Sequence, residues 1–348
     1  MTRRIAVVRA AVMRGSELVV DEVPDPVPAF GQALVRVLAC GICGSDLHFL
    51  RHGRRMAELS AGIDPAVDTS LDVDRDIVMG HEFCAEVLEY GPDTQGPAPG
   101  TIVTSMPVML TLSGVANLAY NNEFPGGYAE RMLLSAPLML AVPDGLDHRR
   151  AALTEPMAVG IHAVARSGIA PGEAALVIGC GPVGLAVVAA LDRAGIEPIV
   201  AVDPSPRRRA LAAGLGAHET TDPGTEPGID AWRRVDGRRP LVMFEAVGNP
   251  GMLDRAMRDA PRLSRLVVVG VCMEPDTIQP FLGIAKELNV QFVLGYDPGE
   301  FSDSLQAIAE GQFDVGPLIT GVVGLDEVPA AFEELSRPDR HAKILVEP

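Results

Sequence analysis

Residues 40–48 hold the densest group of reactive side chains in the sequence. Cys43 brings a thiol suited to binding a metal, and Asp46 brings a carboxylate able to support a metal ligand. Ser45 and His48 add a hydroxyl and an imidazole, both able to pass a proton. The spacing therefore predicts a metal site with a proton relay beside it.

Three more candidate ligands follow downstream: His81, Glu82 and Glu155. Catalytic zinc usually takes three protein ligands and leaves one position open. Cys43 and His81 fit two of these places, and Glu82 and Glu155 compete for the third. Because neighbouring residues of a strand point to opposite faces, His81 and Glu82 reach one ion only if the chain bends at Gly80. Glu155 either binds the ion directly or holds a metal-bound water.

Each candidate ligand also has an ordinary structural interpretation. A single cysteine near glycines is often an inert buried thiol, and a single histidine is often part of a core. The Cys40/Cys43 pair is also compatible with a redox couple or a structural zinc. No second cysteine pair is present to complete four thiolates, so we do not expect structural zinc there.

A glycine-rich turn follows the apolar run 174–178 and precedes an apolar helix expected over 182–194. The first glycine permits a tight turn, the second lets the backbone approach a pyrophosphate, and the third lets helix and strand lie close together. The free N–H groups at the start of the helix favour phosphate. The cofactor-binding residues expected in this turn are Gly179, Gly181, Pro182, Val183 and Gly184.

The next apolar strand ends at Asp203, nineteen residues after Gly184. A carboxylate at this position accepts a hydrogen bond from a ribose 2′-hydroxyl and repels a 2′-phosphate, which favours NAD over NADP. The arginines at 207–209 weaken that preference, because an arginine there can serve a phosphate. A structural turn with a surface aspartate is the alternative interpretation.

The elements around these residues predict an α/β protein of two parts. Up to about residue 150, short β-rich runs are broken by Pro and Gly, which indicates an irregular, mostly β domain. Beyond it, apolar strands alternate with helical segments, as in a doubly wound parallel sheet. We expect a catalytic domain at 1–155, a dinucleotide-binding domain at 156–296, and a segment at 297–348 that returns to the first domain.

Composition excludes several classes of function. The chain has 348 residues and a formal net charge of −17, which disfavours nucleic acid and anionic membrane as partners. We find neither a signal peptide nor an apolar run long enough to span a membrane. The five cysteines are sparse and odd in number, unlike a secreted disulfide framework, so we expect a cytoplasmic enzyme.

Over nearly its whole length the sequence resembles the zinc-dependent medium-chain dehydrogenases/reductases, the alcohol dehydrogenase superfamily. The similar motifs are C-G-I-C-G-S-D-L-H at 40–48, G-H-E at 80–82, P-G-G-Y-A-E at 125–130, E-P at 155–156 and G-C-G-P-V-G at 179–184. The stretch from Glu155 to His162 is closest to the sorbitol and threonine dehydrogenase branch. The resemblance implies a GroES-like catalytic domain and a Rossmann domain.

The resemblance also implies roles for individual residues. Cys43 and His81 would be zinc ligands, with Glu82 and Glu155 sharing or exchanging the third place. Asp46 would hold His81 by a hydrogen bond. Arg208 would lie near the adenosine ribose and Lys343 near the pyrophosphate. The remaining cofactor contacts expected are Val247 and Gly270.

Two departures from the family pattern stand out. Many members hold a structural zinc with four cysteines between G-H-E and the G-G-Y-A-E run, but residues 91–130 contain no cysteine. We therefore expect one catalytic zinc, no structural zinc, and an apolar 106–120 segment that stabilises this lobe by packing. The gap between His48 and His81 is about twice the usual length, and we expect its extra residues, 49–79, to form a lid or pocket wall.

The reaction expected is reversible oxidation of an alcohol, with zinc as Lewis acid, NAD as hydride acceptor, and Ser45 and His48 carrying the proton outward. Apolar residues in the two long connections favour a partly apolar secondary alcohol, although they fit a core or a subunit interface equally well: Met56, Leu59, Met106, Met109, Leu110 and Leu112. The alternatives are a polyol dehydrogenase of the sorbitol type, a zinc-free reductase, and a non-catalytic NAD-binding sensor. The resemblance suggests a homodimer or homotetramer formed through a strand near 290–294.

Overall fold

The structure is a computed structural model that describes residues 6–61, 63, 67–68, 71–112, 114–337 and 340–348. The chain forms two compact units, of which the first runs to Glu155 and resumes at Ile319, and the second is Pro156–Leu318. The sequence pattern placed the second boundary at 296. The helix Pro298–Ala309 nevertheless belongs to the second unit, since its Asp303 is ion-paired with Arg193.

The described strands are β1 (Val7–Arg14), β2 (Glu17–Pro24), β3 (Gln32–Gly41), β4 (Val67–Asp68), β5 (Ile77–Val78), β6 (Glu82–Tyr90), β7 (Ile102–Ser105), β8 (Val108–Thr111), β9 (Gly114–Asn117), β10 (Arg131–Ser135), β11 (Met139–Ala141), β12 (Ala174–Ile178), β13 (Ile199–Val202), β14 (Glu219–Thr221), β15 (Leu241–Glu245), β16 (Arg265–Val268), β17 (Asn289–Phe292), β18 (Ile319–Val323) and β19 (Lys343–Val346). The described helices are α1 (Gly44–Ser60), α2 (His148–Ala151), α3 (Thr154–Ser167), α4 (Pro182–Arg193), α5 (Pro206–Gly214), α6 (Gly228–Asp236), α7 (Met252–Asp259), α8 (Pro280–Lys286), α9 (Pro298–Ala309) and α10 (Val328–Leu335).

The main sheet of the first unit has the strand order β11-β7-β6-β3-β19-β18, with β10 also paired to β3. Strand β3 is flanked by β6 and β19, both antiparallel to it. In this register Gly41 lies opposite Glu82 on one side and Leu345 on the other. The sheet therefore brings the ends of three distant stretches of chain together at one place.

The two long connections expected from the sequence meet in a small sheet of order β4-β9-β8. Strands β8 and β9 form a hairpin within the 106–120 segment. Met109, Ala116 and Leu118 from this segment are buried in the core of the first unit, so the lobe is packed as its apolar sequence predicted. Part of the 49–79 segment continues α1, and residues 62, 64–66 and 69–70 lie outside the described residues.

The second unit contains a parallel sheet of order β14-β13-β12-β15-β16-β17. The order reverses at β12, next to the strand β15, which is the point where such sheets bind dinucleotides. Residues of β12, β13 and β15 are almost entirely buried, because helices pack on the sheet. The α/β prediction with a doubly wound parallel sheet and a separate, mostly β part is confirmed.

Among the helices in the described part of the chain, none has both the length and the apolar character that a membrane crossing requires.

Candidate active site

Three candidate ligands meet in the first unit. One ligand atom each from Cys43, His81 and Glu82 lies within 4.8 Å of the other two. Cys43 directly precedes α1, just after the end of β3, while His81 and Glu82 come at the start of β6. Gly80 has a φ of +100°, so the chain bends where the sequence required it. A Cβ at Gly80 would also lie 2.7 Å from the Tyr128 ring.

Asp46 anchors this group from the first turn of α1. It is fully buried and accepts hydrogen bonds from the Cys43 backbone (2.9 Å) and the Tyr128 hydroxyl (2.7 Å). His81 Nδ1 lies 3.4 Å from Asp46 Oδ1. Burial alone would raise the pKa of Asp46, but the charge of His81 and these hydrogen bonds outweigh it and lower the pKa.

The two nitrogens of the His81 ring face different neighbours. Nδ1 is buried, has no full hydrogen bond and faces the Asp46 carboxylate, whereas Nε2 lies 3.5 Å from Ser45 Oγ. Burial would lower the pKa of His81, but Asp46 and Cys43 raise it well above its ordinary value. The negative groups around the ring thus favour positive charge, which a bound cation would also supply.

Lys343 lies in the site in a role that the sequence did not predict. Its ammonium donates to both carboxylate oxygens of Glu82, at 2.6 and 2.7 Å, and to the Ile42 carbonyl at 3.1 Å. The Lys343 side chain is 2% exposed and that of Glu82 is fully buried. The expectation that Lys343 lies near a pyrophosphate stays a prediction, and in this structure its ammonium is paired with Glu82.

The buried charges fit a divalent cation. With Cys43 as thiolate and His81 neutral, as metal ligands must be, the site holds three negative groups, Cys43, Asp46 and Glu82, and one positive group, Lys343. The result is two negative charges, which one zinc ion neutralises. The donor set of sulfur, imidazole and carboxylate is one that zinc prefers.

Glu155 stands apart from the three clustered ligands. It lies in the first turn of α3, is partly exposed, and is absent from the cluster that Cys43 forms in the described residues. Its charge acts on Lys343, which places it in the neighbourhood of the site. The geometry thus favours Glu82 as the third donor and leaves Glu155 at the edge.

The expected proton relay occupies the first turns of α1. The Ser45 and Tyr120 hydroxyls form a hydrogen bond with 2.9 Å between their oxygens. His48 is half-buried, and burial together with the nearby His52 and Arg51 lowers its pKa. A lowered pKa favours the neutral imidazole, the form that can take up a proton.

The apolar residues proposed for the substrate pocket do not form one group. Met109 is fully buried, and its sulfur accepts hydrogen bonds from Gln32 and Ser135, so it belongs to the core. Leu110 and Leu112 are exposed at 44% and 107%. The core interpretation is confirmed for Met109, and Met56 packs against the same core.

The glycine turn of the second unit has the geometry that a pyrophosphate requires. Gly179 has a φ of +94°, and a Cβ at Gly184 would lie 1.9 Å from the Gly179 carbonyl oxygen, so both positions exclude a side chain. A Cβ at Gly181, by contrast, would meet no atom within 4 Å. The open space at Gly181, at the N-terminus of α4, matches the approach path of a dinucleotide.

Asp203 fastens this turn to the end of β13. Its two carboxylate oxygens accept from the backbone N–H groups of Cys180 and Ser205, each at 2.8 Å, and it is 4% exposed. Arg208 Nη1 lies 4.0 Å from the carboxylate, and Arg208 Nε is buried without a hydrogen bond. Each Asp203 oxygen retains a lone pair for a ribose hydroxyl.

The remaining cofactor candidates lie at the carboxyl ends of the neighbouring strands. The Val247 methyl would lie 2.7 Å from a Cβ at Gly179, and a Cβ at Gly270 would lie 2.3 Å from the Gly248 backbone nitrogen. Glu245, which sequence reasoning missed, accepts from the N–H groups of Val247 and Gly248. These bonds fix the loop beside the glycine turn.

A second group of possible ligands, His162, Asp297 and Glu300, lies in the second unit. Glu300 Oε2 is 2.8 Å from His162 Nδ1 and also accepts from the Asp297 backbone N–H at 2.7 Å. Asp297 and Glu300 form the capping box of α9, which accounts for their proximity.

Comparison with known proteins identifies the class. Residues 29–144 match the alcohol dehydrogenase GroES-like domain family, and residues 182–310 match the zinc-binding dehydrogenase family. (R,R)-Butanediol dehydrogenase of Bacillus subtilis is 31% identical over 338 residues, covering 94% of this chain and 96% of that protein. Sorbitol dehydrogenase of the same organism is 28% identical, covering 98% and 97%.

Solved structures agree with the sequence comparisons. The crystal structure of 2R,3R-butanediol dehydrogenase from Bacillus subtilis superposes with a TM-score of 0.83 at 30% identity, covering 98% of this chain and 99% of that one. A zinc-binding dehydrogenase from Sinorhizobium meliloti bound to NADP gives a TM-score of 0.83 at 27% identity, covering 99% and 100%. The chain belongs to the zinc-type alcohol dehydrogenases of the medium-chain dehydrogenase/reductase superfamily. It is an oxidoreductase that acts on an alcohol with zinc and NAD(P), and the reductase and sensor alternatives are not favoured.

Proposed function

We propose that Cys43, His81 and Glu82 hold the catalytic zinc, and that the chain binds no structural zinc. The supporting observation is the convergence of the three donor atoms within 4.8 Å beside the buried Asp46 and Lys343. When bound, zinc supplies a Lewis acid for the alcohol oxygen, and the nicotinamide supplies the hydride acceptor. Glu155 remains the alternative third ligand.

The chain's own residues would manage the proton and the alignment. Ser45 would hydrogen-bond the alcohol oxygen, and the neutral His48 would take the proton outward. Asp46 would keep the His81 ring in the tautomer that leaves Nε2 free for the ion. We assign the catalytic role to the first unit and NAD binding to the second.

The metal assignment is tested by a pair of cysteine variants. Cys43→Ala should lose bound zinc and turnover while NADH still binds the second unit. Cys40→Ala is the matched control, because Cys40 is buried in the same motif outside the ligand cluster and burial raises the pKa of its thiol. Zinc per chain is measured by elemental analysis. One zinc per chain in Cys43→Ala would contradict the assignment. Comparing the zinc content of Glu82→Gln with that of Glu155→Gln shows which carboxylate is the third ligand.

We propose a secondary alcohol or small diol as substrate and NAD as the preferred cofactor. The relatives named as butanediol and sorbitol dehydrogenases support a secondary hydroxyl group, and Asp203 supports NAD. A screen of NAD reduction over linear, cyclic and polyhydroxy alcohols decides between a partly apolar alcohol and a polyol. Asp203→Ala should lower the NAD:NADP ratio of kcat/KM, and an unchanged ratio would remove Asp203 from that role.

We propose a cytoplasmic homo-oligomer whose interface includes β17 and α8. Four apolar side chains there are 67–85% exposed: Phe281, Ile284, Phe292 and Leu294. An edge strand with exposed apolar residues is a natural place for pairing with a second copy. Phe292→Asp should lower the mass measured by light scattering to that of a 36.7 kDa monomer, while the control Val27→Asp, at a side chain that is 82% exposed, should not.

A further inference from the structure

The Tyr120 hydroxyl bridges two neighbouring residues of the candidate site. Its oxygen lies 2.9 Å from Ser45 Oγ and 2.7 Å from Asp46 Oδ1. The Tyr120 ring packs against Phe49 with a centroid distance of 4.7 Å and lies 5.5 Å from the His81 ring. The hydroxyl group is therefore held in place by its ring as well as by its two polar partners.

A count of protons determines the directions of these hydrogen bonds. A tyrosine hydroxyl has one proton, and a carboxylate such as Asp46 offers only acceptors. The shorter, charge-assisted bond to Asp46 takes the Tyr120 proton. Ser45 must then donate its own proton to the Tyr120 oxygen. The lone pairs of Ser45 Oγ are then free to accept a hydrogen bond, and His81 Nε2 lies 3.5 Å from this oxygen.

The backbone around Tyr120 holds this arrangement at a measurable conformational cost. Ala119 has a φ of +73°, a left-handed conformation that is unfavourable for a residue with a Cβ. The next residue, Asn121, closes a turn by accepting from the N–H groups of Glu123 and Phe124. Asn122 is bonded in both directions to the backbone of Asp72, at 2.8 and 3.0 Å.

We propose that Tyr120 is a positioning residue that orients the Ser45 hydroxyl so that its oxygen accepts a hydrogen bond from the alcohol hydroxyl. When the alcohol proton transfers to Ser45, the proton that Ser45 shared with Tyr120 passes outward to His48, so that Ser45 stays neutral. The inference rests on the proposed function, because it requires Ser45 to meet the substrate. Without the Tyr120 hydroxyl, the Ser45 hydroxyl rotates among its staggered positions, and its proton is no longer held away from the substrate oxygen. Tyr120 itself does not touch the substrate.

Tyr120→Phe and Tyr128→Phe form a matched pair that tests the proposal. Both tyrosines donate to Asp46, but the Tyr128 hydroxyl contacts the Gly41 carbonyl as its second partner, at 3.2 Å, and Ser45 is bonded by Tyr120. Tyr120→Phe should lower kcat for alcohol oxidation about tenfold with the KM for NAD unchanged, since one orienting hydrogen bond is lost. Its solvent deuterium isotope effect on kcat should rise, because proton transfer becomes slower. Tyr128→Phe should leave the isotope effect as in the native protein.

Zinc content and two further backgrounds complete the test. Tyr120→Phe should retain the native zinc stoichiometry, and its effect should vanish in Ser45→Ala but persist in Ser45→Thr, which keeps the hydroxyl. Equal effects of both tyrosine variants, an unaltered isotope effect, or loss of zinc from Tyr120→Phe would overturn the proposal. If the native protein held no zinc or Ser45→Ala kept full activity, the proposed function would fail instead.

Discussion

Replacing Lys343 by methionine tests whether the buried ion pair with Glu82 shapes the candidate metal site. The substitution keeps the length of the side chain but removes its ammonium. Glu82, fully buried, would lose contacts of 2.6 and 2.7 Å, and the Ile42 carbonyl would lose one of 3.1 Å. Removing one partner of a buried pair costs about 3–5 kcal/mol, a large share of a stability of about 5–15 kcal/mol.

The loss of stability caused by Lys343→Met should depend on whether zinc is bound. In chelator, Lys343→Met should destabilise the first unit by the full amount of about 3–5 kcal/mol. In excess zinc the loss should be smaller, because the cation gives Glu82 a replacement counter-charge and binds the folded state alone. The double variant Lys343→Met/Glu82→Gln should recover part of the loss in chelator, because it leaves no unpaired charge.

The two units can be followed separately. Cys40 and Cys84 are buried in the first unit, so their labelling by a thiol reagent, read by mass spectrometry, reports its opening. The single tryptophan, Trp232, reports the second unit. Labelling in chelator should accelerate about 140- to 3700-fold, the equivalent of about 3–5 kcal/mol at about 1.4 kcal/mol per decade. Acceleration below about tenfold would refute the reasoning. If labelling were unchanged and the affinity for NADH fell more than about tenfold, the result would indicate that Lys343 contacts the pyrophosphate.

Three further predictions concern packing, helix ends and pH. Gly41→Ala should lower the free energy of unfolding in chemical denaturation by about 1–3 kcal/mol and reduce the zinc content, because its Cβ would lie 2.0 Å from a Glu82 oxygen. An unchanged free energy of unfolding would contradict this close packing. Lys286→Met should cost about 1–2 kcal/mol in the unfolding of the second unit, since its ammonium caps three carbonyls at the end of α7, and no change in Trp fluorescence unfolding would dismiss the cap. The Arg149 hydrogen bond lowers the pKa of Glu347 from 4.5, so the stability that this bond adds is complete above pH 4.5 and is lost as the pH falls through the lowered pKa. The difference in unfolding free energy between the native protein and Glu347→Gln should therefore disappear in acid. A difference that stays constant from pH 7 to 3 would show that this hydrogen bond does not link stability to pH.

Local patterns in the sequence were the most predictive. The dinucleotide-binding role of the glycine turn at 179–184 could be predicted from the sequence, because strand, turn, helix and Asp203 follow one another within thirty residues. Cys43 and His81 could be named from residue type and motif. The bend at Gly80 followed from the requirement that two adjacent side chains reach one ion, and its φ of +100° agrees.

The partners of these residues could not be predicted, because they depend on long-range pairing. Lys343 reaches Glu82 only through the pairing of β19 with β3, which no short motif encodes. Tyr120 lies in an apolar connection and meets Ser45 through a left-handed turn at Ala119 that its sequence does not announce. The ends of the domains were likewise set by contacts of α9 and not by composition.

The ion pair between residues 82 and 343 also bears on the order in which the protein is made. The two partners are 261 positions apart, so the ribosome must produce the whole second unit before the carboxylate meets its ammonium. Chains usually fold domain by domain from the N-terminus as they emerge. The first unit, which begins at the N-terminus, is completed only when residues 319–348 have been made. The parallel sheet of the second unit can therefore form before the first unit receives its last strand, β19.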